Sequence, residues 1–161
     1  MLKYLYCKEV FSEIPSEISL GVSLSGCTIR CPQCHSKDLW EDKGIPLTVE
    51  ELYRLLNRHK GITCLLLLGG EHDIPALKTL FQEVHEGTVL RSAWYCGLDA
   101  VPEEHEDIVK YLDYLKTGHY DEKLGGLVSP TTNQILYAVQ HNADGTYNKE
   151  NINDKFKKQK L

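Results

Sequence analysis

ITCLLLLGGEHD, residues 62–73, decides how this chain folds. The first seven residues have strand length and are apolar at all but one place. A strand with one wet face alternates apolar and polar residues. A continuous run reads instead as a strand covered on both faces, as in a parallel sheet. Two glycines and an acidic stretch then break the run, and IPALKTLFQEVHEG (residues 74–87) follows with helical spacing and Pro75 near its first turn. TVLRSAWYCG (88–97) reads as the next strand. Upstream, LTVEELYRLLNRHKG (47–61) predicts a helix: Thr48 and Glu51 form a capping box, Leu52, Leu55 and Leu56 share a face, and Gly61 stops it. Residues 3–11 and 18–24 look extended, joined by EIPSE. Downstream, PEEHEDIVKY suggests a short helix, and YLDYLKTG and QILYAVQ suggest strands. Strands alternating with helices imply βαβ units, so the expected class is α/β with four or five parallel strands.

At 161 residues one domain is expected, spanning 1–140, with residues 141–161 as a polar, Lys-rich, frayed tail. The net charge of −5 gives no basic footprint, so nucleic acid is not an expected partner. The N-terminal stretch MLKYLYCKEVFSEIPSE has no apolar h-region, and no apolar run is long enough for a bilayer, so no membrane association and a cytoplasmic location are expected. Thiols are reduced there, and clustered cysteines then favour metal binding or catalysis over disulfides.

Such a cluster stands in SGCTIRCPQCH, residues 25–35, where Cys27, Cys31 and Cys34 follow C-x3-C-x2-C. A structural zinc site wants four closed ligands, usually as two pairs. His35 adjoins Cys34, and neighbouring side chains in an extended loop point apart. Cys7, Cys64 and Cys96 lie singly in strand-like runs. Iron–sulfur clusters normally take four thiolates, so a 4Fe–4S cluster held by three leaves one iron open. A zinc module, an electron carrier and three incidental cysteines are the alternatives.

The cysteine spacing in a loop after a first strand resembles the signature of the radical S-adenosylmethionine enzymes. GGE at residues 69–71 resembles that superfamily's motif at the end of the second strand. The resemblance implies a 4Fe–4S cluster on Cys27, Cys31 and Cys34, with S-adenosylmethionine on its open iron. It implies that Gly69, Gly70 and Glu71 hold the cofactor's amino group, and that reductive cleavage gives a 5′-deoxyadenosyl radical. It also implies a shortened, open (βα) partial barrel with an N-terminal extended segment. Glycines do let a backbone approach a ligand, and a carboxylate does accept from an ammonium.

Chain length, CPQCHSKDLWED and GHYDEKLGGLVSPTTNQ (118–134) narrow the likeness to activating proteins of anaerobic (class III) ribonucleotide reductase. That implies an activase that installs a glycyl radical on the reductase and takes its electron from a donor such as flavodoxin or ferredoxin. The alternative enzyme is a small-molecule one of the deazapurine-synthesis type. Gln33 and His72 depart from the common pattern. Because chemistry in α/β barrels sits at the carboxyl ends of strands, the cysteine loop, GGEHD, Tyr95-Cys96-Gly97 and Lys116-Thr117-Gly118 should converge. Lys116 is the candidate for the cofactor carboxylate. Asp73 is expected to cap a helix, Trp40 to pack under the cysteine loop and Cys96 to be a packing residue, while Asn133 and Gln134 have no assigned role.

Overall fold

The computed structural model describes residues 1–157. Strands β1 (Lys3–Val10) and β2 (Ser19–Leu24) form an antiparallel pair. Then come the short strand β3 (Ile45–Pro46), helix α1 (Val49–Arg58), β4 (Cys64–Leu68), α2 (Ile74–Gly87) and β5 (Arg91–Tyr95). A 3-10 segment, Glu103–Tyr111, leads to β6 (Tyr114–Thr117), β7 (Ile135–His141), β8 (Tyr147–Asn151) and the short helix α3 (Asp154–Lys157). One sheet runs β3-β1-β2-β4-β5-β6-β7-β8. Its centre, β2-β4-β5-β6, is parallel, and every other pairing is antiparallel. The mix of strands and helices matches the α/β expectation.

The apolar run at 64–68 behaves as its composition demands. Leu65 and Leu67 enter one core, with the helices, while Cys64 and Leu66 enter a second core on the opposite face. Period-two alternation sends neighbours to opposite sides, so both sets must be apolar. α2 contributes Ile74, Leu77, Leu80, Phe81 and Val84 to the first core. Each such side chain stabilises the fold by about 1.5–3 kcal/mol when fully buried. Among the described residues no long helix covers the second core. It is closed by Ile14 from the β1–β2 connection, Leu127 from the 118–134 connection, and Ile152 and Phe156 from the end of the described chain.

The two helix starts are capped as expected, with one difference. Thr48 accepts from the Glu51 N–H at 3.1 Å, but the Glu51 carboxylate turns to the Tyr4 hydroxyl and to Arg54, so only half of a capping box forms. Asp73 caps α2 through the Ala76 N–H at 3.2 Å.

The frayed tail expected from residue 141 is corrected: β8 pairs with β7 from His141↔Tyr147 to Tyr137↔Asn151, around the turn at Gly145 (φ +87°). The polar residues of YNKEN suit an edge strand with wet side chains. The remainder of that tail, 158–161, lies outside the described residues. Among the described residues no helix is long and apolar enough to cross a membrane.

Candidate functional site: a cysteine-lined cleft at the strand ends

Each parallel strand ends in a turn that a side chain would obstruct, and these turns make one cleft. After β2, the loop reaches Cys27, Cys31 and Cys34, all half-buried free thiols. Gly26 (φ +80°) starts the loop, with the His72 imidazole packed where its Cβ would be, so His72 supports the loop from behind. The loop is pinned by Gly26 and Cys27 N–H groups donating to the Glu41 and Leu39 carbonyls at 3.2 and 3.0 Å. Ser36 N–H donates to the Cys34 Sγ at 3.3 Å. Trp40 sits beside the loop, its ring in contact with the Arg30 and Lys37 side chains.

After β4, Gly69 and Gly70 both take left-handed backbone (φ +92° and +88°). A Cβ on Gly70 would sit 2.8 Å from Leu24 and 2.9 Å from Leu77, so the turn fits only glycine. It delivers Glu71 into the cleft. One carboxylate oxygen, Oε1, accepts from the Gly97 N–H at 2.6 Å. The other, Oε2, is buried and has no partner among the described residues. Such an oxygen is costly unless a donor arrives.

Lys116, at the end of β6, lies half-buried in the same cleft, its ammonium 5.3 Å from the centre of the Tyr95 ring. Burial pulls its pKa below the usual value, and the adjacent Cys96, Glu71 and Cys31 pull the other way. Cys96 itself is fully buried, and burial pushes its thiol up to about 12, which suits a packing residue. Gln134 also lines the cleft and donates to the Gly118 carbonyl at 3.3 Å.

The cleft holds about 210 Å³. It brings together all three triplet cysteines, Gly69, Glu71 and Lys116, with Leu24, Ile29, Leu39 and Leu68 as apolar walls. Gly70 does not line it, and acts through the turn. Tyr95, Gly97 and Gly118 line the cleft as expected, and Cys96 does not. Sequence reasoning did not link Gly97 to Glu71, a bond that spans 26 residues, and it missed Ile29 and Leu39.

The donor set fits an iron–sulfur cluster and an amino-bearing ligand. Three soft thiols share the cleft, and the unpartnered Glu71 oxygen waits for a hydrogen-bond donor. Among the described residues no three His, Cys, Asp or Glu side chains gather on one ion.

Comparison with known families agrees with the chemistry. Residues 18–137 match the model of the 4Fe-4S single cluster domain, most of the chain and every element of the cleft. The chain belongs to that family. It is also 37% identical over 70 residues to the 7-carboxy-7-deazaguanine synthase of Hyperthermus butylicus. That match covers 39% of this chain and 29% of the synthase's length. No solved structure matches significantly.

Proposed function

We propose that this 4Fe–4S protein is a radical S-adenosylmethionine enzyme, and that it activates an anaerobic ribonucleotide reductase by installing a glycyl radical. The observation that carries the reading is the pair of opposite charges in the cysteine cleft. Glu71 offers an unpartnered buried oxygen to an ammonium, and Lys116 offers an ammonium to a carboxylate. An α-amino acid headgroup, which S-adenosylmethionine has, satisfies both. Cys27, Cys31 and Cys34 would hold the cluster, and Gly69 and Gly70 shape the turn that aims Glu71. When bound, cluster and cofactor supply reductive cleavage and a carbon-centred adenosyl radical; the protein's own part is to bind, orient and exclude water. Leu24, Ile29, Leu39 and Leu68 give that apolar exclusion.

The reading of the sheet as a shortened, open barrel belongs to the same proposal, and so does the partner. Among the described residues the sheet is not closed on itself, with β3 and β8 as its two edges. An open site needs a cover, and in an activase the reductase segment that carries the glycine provides it. The test uses reductase labelled with α-deuterated glycine, mixed anaerobically with reconstituted protein, cofactor and reductant. Deuterium should appear in 5′-deoxyadenosine, and the reductase should show a glycyl radical by electron paramagnetic resonance. Label-free product with a silent reductase would overturn the activase reading. It would favour a small-molecule enzyme, the second reading, which the likeness to the deazaguanine synthase supports.

A further inference from the structure

Resting on the cluster reading above, we propose that the outer edge of the cysteine loop is the docking surface for an acidic one-electron carrier protein, recognised by Arg30 and Lys37. Residues 25–37 carry these two cations and no carboxylate, within a chain of net charge −5. Both cations are exposed, and each lies 5.7 Å from the centre of the Trp40 ring, which holds them in place. Arg30 takes left-handed backbone (φ +50°), a conformation that non-glycine residues avoid and that surrounding contacts must impose.

Of the nearby acids, Asp42 pairs with Lys3 at 3.2 Å and Glu41 with Lys43 at 3.4 Å, while Asp38 accepts from the Tyr6 hydroxyl, which carries no charge of its own. Among the described residues, neither Arg30 nor Lys37 forms an ion pair. Arg30 adjoins Cys31, and Lys37 is three residues past Cys34, so a partner held by them reaches the cluster loop itself. Pro32 and Gln33 line a separate cleft of about 410 Å³ together with Asp121, Glu122 and Lys123. Its two carboxylates outnumber its lysine, so that side favours an acidic protein less than the Arg30 and Lys37 side does. In the step served, one electron leaves the carrier, whose anionic flavin hydroquinone becomes the neutral semiquinone, and enters the cluster. No bond forms or breaks and no proton moves.

The test compares R30Q/K37Q with K60Q/K110Q. The control removes the same charge from two exposed lysines near the amino ends of the parallel strands, away from the site. Reconstituted proteins are mixed anaerobically with reduced flavodoxin or with dithionite, and cluster bleaching is followed by stopped flow. Calorimetry measures flavodoxin binding at low and high salt. The expected result is a loss of about tenfold or more in flavodoxin affinity and reduction rate for R30Q/K37Q alone, the low end of electrostatic steering. Dithionite should reduce every variant alike, and added salt should weaken wild-type binding. Equal flavodoxin rates and affinities across the variants, or equal slowing by the control, overturns the docking surface and leaves the cluster reading standing. Protein that takes up no cluster overturns both.

Discussion

Glu17 and Glu71 are the same residue type at opposite ends of the same parallel strands, and their surroundings differ in kind. Glu17 lies at the amino ends, 8% exposed, with every oxygen engaged. Thr63 donates to one, and Tyr114 and Arg91 donate to the other at 3.1 and 3.0 Å. Glu71 lies at the carboxyl ends with one oxygen anchored to Gly97 and one left over. The first arrangement is complete within the chain and fastens the β1–β2 connection under the sheet. The second is incomplete until something else arrives. Left-handed glycines at 26, 69, 70 and 118 surround the cleft, while the left-handed residue beside Glu17 is Ser16 (φ +69°).

The largest expected effect breaks the comparison at its metal end. Cys27→Ser, Cys31→Ser and Cys34→Ser should each lose the cluster, about four irons and four sulfides per chain by analysis. Cys64→Ser should keep it, because Cys64 is fully buried in the second core, where burial pushes its thiol up to about 12. Retention of iron and sulfide by all three triplet variants would remove the basis for the site.

The next pair of variants sharpens the contrast directly. Glu71→Ala should weaken S-adenosylmethionine binding about ten- to a hundredfold, one charged hydrogen bond of about 1.5–3 kcal/mol, with iron content kept. Glu17→Ala should do the reverse, costing about 1–3 kcal/mol of unfolding free energy in urea while cofactor affinity stays level. Affinity lost equally in both variants would mean that the two ends are coupled through the sheet and do not divide the work.

The smallest effect concerns pH. Arg54 first, then the Tyr4 hydroxyl, hold the Glu51 carboxyl down to about 2. A depressed folded value means that the stabilisation is complete above the unfolded value of about 4.3 and is lost as pH falls towards the folded one. The melting temperatures of wild type and Glu51→Gln should therefore differ most above pH 5 and converge as pH drops through that window. The gap should correspond to no more than about 1 kcal/mol, as for other surface pairs. A gap that widened in acid would contradict the assignment.

Much of the cleft was legible because its chemistry is local. The cysteine spacing, the GG break after an uninterrupted apolar strand, the Thr48 and Asp73 caps and the bounds of α2 are all set within a few residues. What was not legible depends on partners far along the chain. Gly97 could not be linked to Glu71 from sequence, nor could Gln134 be placed beside Gly118. β8 is not legible as a strand because four of the five residues of YNKEN are polar and exposed, and only Tyr147 packs against the core. β3 has two residues and is held by Lys3 and Tyr4, too short for any periodicity.

The connection from Gly118 to Gln134 has a further consequence. Ser129 and Thr131 hydroxyls donate to the Leu124 carbonyl, the Thr132 hydroxyl donates to the Gly125 carbonyl, and Asn133 donates to that of His119. These bonds let the segment hold its shape by itself, although it has no helix or strand. A wall built this way is finished before any visitor comes, so little conformational freedom remains to be lost on contact. Arrival should then be fast and departure should set the lifetime of the complex, as for partners that meet with their shapes already settled.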